Sequence, residues 1–408
     1  MSEWREHKLD NLCLKITSGG TPNTRKDEYY GGSIPWVRTQ EVNFNRIYDT
    51  DIKITDDGLI NSSAKWIPKN SVLIAMYGAT AGKVAINKIP VTTNQACCNL
   101  TVDESKVDYR FVYYNILSRF SSIANMAIGG AQQNLNAGMI KDLPITIPSL
   151  PTQTAIAEIL SSLDDKIELN NKINQELETL AQILFKQWFI DFEFPNENGE
   201  PYKSSGGEMV DCELGEIPKG WRVGSIYDIS SVIYGAPFKS SLFNQEKKGY
   251  PLIRIRDLKT FKPQNWTEET HSKGTKIQPG DLVVGMDAEF RPHFWLGEEG
   301  WLNQRVCLFK PKSEFSRLFV REIIRPRLDF FENSSVGTTV IHLGKGDIDT
   351  FRSIIPDIHL SKLFTELSEP LINKVIENSK ENESLRNTRD TLLPKLISGE
   401  LEINEISN

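Results

Sequence analysis

The sequence predicts an α+β protein built as an internal repeat: two similar α/β domains separated by two long helices that form an antiparallel coiled coil, with a pseudo-two-fold relation between the halves. Three observations predict it. Five segments recur in the same order at offsets that fall from 217 to 208 residues. Each copy carries short β-rich runs broken by Gly, Pro and Asn turns. Each copy closes on a stretch whose apolar residues follow heptad spacing. A period this long is far beyond a solenoid repeat, so it marks a duplicated domain.

Within the repeat, Trp4-Arg5 and residues 9–12 fall on Trp221-Arg222 and residues 226–229, and residues 35–38 fall on 251–254. Residues 71–76 then fall on 281–286, Asn94-Gln95 on Asn303-Gln304 with Cys98 on Cys307, and residues 140–148 on 348–356. The falling offset is what slightly different loop lengths between shared strands produce. Strands are expected at 34–37, 72–76 and 83–86 in the first copy, and at 252–255 and 282–286 in the second. The chain therefore divides into a first domain (1–150), a helix (151–195), a connector and second domain (196–358), and a second helix (359–403).

The first helix follows Pro148 and Pro151 and runs without Gly or Pro to about Ile190. Steps of four and three from Ile156 give Leu160, Leu163, Ile167, Asn170, Asn174, Leu177, Ala181, Leu184 and Trp188, an a/d seam with two polar residues at its centre. Adding 208 gives Phe364, Ser368, Leu371, Val375, Asn378, Asn382, Leu385, Arg389, Leu392 and Leu396. In antiparallel packing the pairs Asn170/Asn174 and Asn378/Asn382 meet, and a buried polar contact there fixes register at some cost in stability. The alternative is that these Asn face solvent while Leu169 and Ile173 form the stripe. Pro370 is expected to start or kink the second helix, with Ser368 as N-cap. About 40 helical residues extend roughly 60 Å, the length of a spacer rather than a core element.

The net charge of -7 is unevenly placed. Residues 1–150 carry +2 and 221–358 carry +3, whereas 151–195, 196–220 and 359–408 carry -5, -4 and -3. Positive charge sits in the two domains, where a phosphate-neutralising surface is useful, and the spacer is acidic. No apolar run approaches a membrane span and the first residues do not read as a signal peptide, so the expected location is cytoplasmic. Cys13, Cys97, Cys98, Cys212 and Cys307 form no C-x-x-C pair and the five His form no ligand grouping, so no metal is expected.

Two similar but non-identical domains on a rigid spacer suit a bipartite ligand. On duplex DNA, half-sites roughly 34–36 Å apart lie on one face. The chain resembles the specificity subunits of type I restriction-modification systems. The resemblance rests on Gly19-Gly20-Thr21-Pro22, Tyr29-Tyr30-Gly31-Gly32-Ser33-Ile34-Pro35-Trp36, Thr93-Asn94-Gln95-Ala96, the helix from Gln153 through Ile156-Ala157-Glu158-Ile159-Leu160 to Leu163-Asp164, and the closing Arg389-Asp390-Thr391-Leu392-Leu393-Pro394-Lys395-Leu396-Ile397-Ser398-Gly399-Glu400-Leu401. It spans essentially the whole chain, with Gly235-Ala236-Pro237-Phe238 departing from the first Gly-Gly-Thr-Pro. It implies double-stranded DNA, two modification subunits and restriction subunits as partners. S-adenosylmethionine, ATP and Mg are then expected on those partners, and no cofactor on this chain. The resemblance also implies that the chain is not itself an enzyme. The alternatives are a helical adaptor that binds only proteins and a stand-alone methyltransferase or nuclease.

Motifs for catalysis are missing from the sequence. There is no Asn- or Asp-Pro-Pro-aromatic tetrapeptide and no G-x-G-x-x-G after a strand. Gly78-Ala79-Thr80-Ala81-Gly82-Lys83-Val84 is one residue short of a phosphate loop and lacks its Ser/Thr, and Pro356-Asp357 is not followed by a nuclease triplet. Base reading needs donors and acceptors on exposed loops. The candidates are Thr21, Arg25, Lys26, Tyr30, Arg38, Thr39, Gln40, Arg46, Gln132, Gln133 and Asn134 in the first domain. In the second they are Lys239, Arg254, Arg256, Lys259, Arg291, His293, Arg305, Thr339, His342 and Lys345. Pairs shared by both copies, such as Arg38/Arg254 and Asn94-Gln95/Asn303-Gln304, suit scaffold roles, because readers of different half-sites should differ.

Overall fold

The computed structural model describes residues 4–128, 134–287, 290–333 and 342–403. The chain forms two compact units: unit 1 comprises Met1–Lys166 and Leu385–Asn408, and unit 2 comprises Ile167–Ser384. Both long helices, Leu150–Phe189 and Ile358–Ser398, contribute to both units.

In unit 1 a five-stranded sheet runs in the order Cys13–Ser18, Cys97–Val102, Val72–Ala75, Val84–Asn87, Asn45–Ile47, antiparallel except for the last pair. Val72–Ala75 is buried along its whole length because both faces are covered. Its side chains alternate: Val72 and Ile74 pack with Phe111, Val112 and Ile116 of the helix Tyr109–Ser118, while Leu73 and Ala75 join Val37, Ala85 and Val91 on the other face. A three-stranded sheet pairs Tyr30–Val37 with Lys53–Ile54 and, in parallel, with Thr92–Thr93. Arg5–Lys8 pairs with Pro144–Ile147, which leads into the first long helix. From the two helices Ile156, Ala157, Leu160, Leu393, Leu396 and Ile397 enter this unit's core.

Unit 2 repeats the plan. Ser230–Tyr234, Val306–Pro311, Leu282–Gly285 and Pro292–Phe294 form one antiparallel sheet, Tyr250–Ile253 pairs in parallel with Gly300–Leu302, and Arg222–Ser225 pairs with Arg352–Ile355. The repeat extends to single hydrogen bonds. Asn94 N–H donates to Val37 O (2.9 Å) as Asn303 N–H does to Ile253 O (3.1 Å), and Leu9 N–H donates to Leu143 O (3.0 Å) as Ile226 N–H does to Phe351 O (3.1 Å). The departure from Gly-Gly-Thr-Pro falls beside the glycine that matters. A Cβ on Gly19 meets Thr93 O at 2.2 Å and one on Gly235 meets Asn303 O at 2.0 Å, so both copies keep Gly where the backbones touch.

The helices are antiparallel: Asp164 faces Arg389 within unit 1, and Asn170 faces Asn382 within unit 2. Seam positions Ile156, Leu160, Ile167, Asn170, Ala181, Trp188, Phe364, Ser368, Val375, Asn378, Asn382 and Leu396 are buried, while Leu169 is 52% exposed. The expectation at Pro370 is corrected. The second helix starts at Ile358 and continues through Pro370, and His359 N–H donates to Asp357 Oδ1 (2.8 Å) at its first turn. Tertiary contacts outweigh the lost backbone bond: Ser368 is fully buried, and Glu369 accepts from Arg317 N–H (2.8 Å) and Nε (2.9 Å). Met209–Cys212 and Gly215–Pro218 add a hairpin between the first long helix and the sheets of unit 2, which the sequence pattern did not reveal.

Candidate nucleic-acid interface

Loops at the ends of the strands carry most of the candidate base readers, and the structure sorts them. In unit 1, Thr21 hydrogen-bonds Gln95, and Tyr30 donates from its hydroxyl to Pro22 O (2.9 Å), ordering the loop that bears the exposed Arg25 and Lys26. Lys26 lies 4.9 Å from the Tyr29 ring centroid and 3.6 Å from Glu28. Arg38, Thr39 and Gln40 occupy one short 3-10 turn, Thr39–Glu41, and its flank. Arg38 donates from its backbone to Glu41 Oε2 (2.8 Å), the contact that Arg254 makes with Asp257 Oδ2 (2.9 Å) in unit 2. Arg254 also donates to Asn265 Oδ1 (2.9 Å). The shared arginines thus lead into equivalent turns, each closed through the arginine's backbone N–H rather than its guanidinium. Arg46 is 11% exposed and binds Asp165 and the Ser161 carbonyl on the first long helix.

In unit 2, Arg256 and Lys259 are exposed on and after the turn Ile255–Asp257. The exposed Lys239 anchors its backbone on Glu269 (2.9 Å), and Lys345 pairs with Asp349 (2.7 Å). Arg291 is exposed and 3.8 Å from Glu332, and His293 lies edge-on to Phe261. Arg305 and His342 come together around Asp287. Asn134 is exposed in unit 1. Gln132, Gln133 and Thr339 lie outside the described residues. Asp287 is not among the residues expected from sequence, which are Arg, Lys, Asn, Gln, His and hydroxyl side chains, although it directly follows the aligned segment 281–286 and so matches Tyr77.

The helical polar centre lies in unit 2. Asn170 Nδ2 donates to Asn382 Oδ1 (3.0 Å) and Glu381 Oε2 (2.8 Å), Asn378 Nδ2 to Asn174 Oδ1 (2.8 Å), and Asn382 Nδ2 to Asn171 Oδ1 (2.9 Å). In unit 1, Asp164 accepts from Arg389 Nη1 (2.7 Å) and from the Tyr114 hydroxyl (2.6 Å). Burial, followed by the charge of Asp164, pushes the Tyr114 phenol upward, so it stays a neutral donor. Burial also pushes the Cys98 and Cys307 thiols up to about 12, which marks them as core atoms rather than nucleophiles. Among the described residues no His, Cys, Asp and Glu side chains group to hold a metal, and no helix is long and apolar enough to cross a membrane.

The family model described as "Type I restriction modification DNA specificity domain" matches residues 1–179 and again 218–384. The chain belongs to this family. Its function is that of a DNA sequence-specificity subunit of a type I restriction-modification complex. The type I restriction enzyme MjaIX specificity subunit of Methanocaldococcus jannaschii is 30% identical, over 99% of this chain and 95% of the relative. The HindI specificity subunit of Haemophilus influenzae is 24% identical, over 98% and 100%. A crystal structure of the system's S subunit from M. genitalium shares the fold, with a TM-score of 0.60 at 18% identity over 97% of this chain and 96% of that one. The double match of this specificity family agrees with the repeat seen in sequence and backbone.

Proposed function

We propose that each unit of this specificity subunit reads one half of a bipartite, asymmetric DNA target, and that the chain directs partner subunits to methylate adenine or cleave DNA. The observation that carries this is one backbone plan built twice with different side chains on its loops. One protein then addresses two unlike half-sites with the same geometry. The chain supplies the address and performs no chemistry. S-adenosylmethionine, ATP and Mg belong to two modification subunits and to restriction subunits, working with it in the cytoplasm. The acidic helices suit protein partners, since they repel phosphate, whereas the two more basic blocks suit DNA.

Single-molecule sequencing of adenine methylation, in cells with and without this gene, tests the proposal. A split motif that depends on the gene is expected, and its absence overturns the reading. Arg256→Ala sharpens it: the exposed Arg256 should matter to only one half of the motif, and equal loss of both halves assigns it a structural role.

A further inference from the structure

The units agree closely in backbone at one place where their side chains disagree completely. In unit 1, Met76 N–H donates to Ala96 O (2.8 Å) and Leu135 N–H donates to Met76 O (3.1 Å). In unit 2, Met286 N–H donates to Arg305 O (2.9 Å) and Leu343 N–H donates to Met286 O (2.8 Å). Three chain segments therefore meet in the same way in each unit. The residue after the methionine, the residue whose carbonyl accepts, and the residue before the leucine are Tyr77, Ala96 and Asn134 in unit 1, and Asp287, Arg305 and His342 in unit 2. The junction uses only N–H and C=O groups that almost any residue supplies, so nothing in the scaffold dictates these side chains.

The side chains are accessible. Tyr77 is 40% exposed and Asn134 is exposed. Those of Asp287, Arg305 and His342 are 28%, 52% and 48% exposed. The unit 2 trio forms one cluster. His342 Nδ1 lies 2.7 Å from Asp287 Oδ1 and 3.2 Å from Arg305 Nη1, and Arg305 Nε lies 3.5 Å from Asp287 Oδ2. Asp287 orients the guanidinium without consuming its five donors. The unit 1 trio carries no charge: a phenol, a methyl and a carboxamide.

We infer that these six positions are a specificity-determining set, three per half-site, resting on the reading that each unit contacts one half-site. The unit 2 trio fits a G·C pair: Arg305 donates to guanine O6 and N7, and the Asp287 carboxylate accepts from cytosine N4. The unit 1 trio fits an A·T pair: Asn134 bonds adenine N6 and N7, and the Ala96 methyl packs on the thymine methyl. Neither trio is identifiable from one copy alone. It emerges because the fold is repeated and the two copies can be compared atom by atom.

The test assembles the full chain with its modification subunits and sequences adenine methylation at single-molecule resolution. Arg305→Ala should relax one G·C position in one half-site, its discrimination falling roughly 5- to 150-fold, with the other half unchanged. Arg305→Lys keeps the charge and loses the fork, so it should relax the same position. Because it is the milder change, it also serves if the alanine variant fails to assemble. Asn134→Ala should relax one A·T position in the opposite half-site. A wild-type split motif unmoved by these variants overturns the assignment alone. So does equal loss at both halves, or relaxation at the other kind of base pair. A wild-type complex that methylates no split motif overturns the half-site reading and the assignment with it.

Discussion

Unit 1 and unit 2 share a backbone and differ in how each is joined to the long helices. In unit 2 the junction is aromatic: Phe185, Trp188 and Phe189 from the first helix pack with Phe364 from the second and with Trp221 and Phe319 from the domain. In unit 1 the helices contribute only aliphatic core residues, Ile156, Ala157, Leu160, Leu393, Leu396 and Ile397, beside the polar group of Tyr114, Asp164 and Arg389. A second arrangement recurs with different parts. Arg46 reaches Ser161 O and Asp165 in unit 1, while Arg317 reaches Glu369 and Asn373 in unit 2. Those helix positions are related by the 208-residue repeat, yet the arginines come from unrelated places, a strand and the start of a helix. The lesson is that the repeat specifies backbone and attachment points, while the chemistry at each point was filled in separately.

The largest expected effect breaks the aromatic side of this comparison. Phe189 is 1% exposed and packs among the aromatic rings of Phe185, Trp188, Trp221, Phe319 and Phe364. Phe189→Ala should cost about 3–5 kcal/mol by lost burial and the remaining cavity. Urea denaturation monitored by tryptophan fluorescence checks it, since Trp188 and Trp221 lie in the cluster. A loss below about 1 kcal/mol would mean that the aromatic packing is incidental.

The polar side gives the next effect. Tyr114→Phe keeps the ring and removes only the hydroxyl that donates to Asp164 (2.6 Å). Tyr114 is 1% exposed, so the carboxylate cannot easily replace that donor with water, and the expected cost is about 1.5–3 kcal/mol. Hydrogen exchange of unit 1 amides should report the loss. If protection falls only in unit 2, the polar group is not what joins unit 1 to the helices.

Much of this organisation was legible in sequence, and the divide follows the range of the interactions. The seam from Ile156 to Trp188 was readable because helical periodicity is local, and the buried Ile167, Asn170 and Ala181 obey it. The repeat was readable because the shared strands kept their order. Pro370 misled because propensity is a weak prior, and the clasp of Arg317 on Glu369 depends on residues 52 positions apart in sequence. The helix contact of Arg46 spans 119 positions, so it read simply as one more basic loop residue. The parallel pairing of Tyr30–Val37 with Thr92–Thr93 is equally non-local, and no periodicity announces it. Asp287 had a signal, its match to Tyr77 in the repeat. Its carboxylate, an acceptor only, sets it apart from the Arg, Lys, Asn, Gln, His and hydroxyl side chains that the sequence offers as base readers.

The smallest net effect concerns the Asn centre of unit 2, whose place in unit 1 is taken by an ion pair between the seam residue Arg389 and Asp164 beside the seam. Asn170 and Asn382 are 0% and 2% exposed and bonded at 3.0 Å. If this pair sets register rather than stability, the two single changes to Leu and the double change should not add. Asn382→Leu leaves the buried Asn170 amide with Glu381 as acceptor but puts an apolar group where its second acceptor stood and removes the donor to Asn171, and should cost about 1–3 kcal/mol. Asn170→Leu plus Asn382→Leu places two apolar side chains at facing seam positions and should lie within about 1 kcal/mol of wild type, or above it. The cost would then appear elsewhere, as a second helix register, visible as split cross-links between cysteines placed at Glu168 and Ser384. A thermal-denaturation cycle with strictly additive changes would show that the two Asn act independently. A single cross-linking pattern in a stable double variant would leave register to the apolar seam and the clamps at either end.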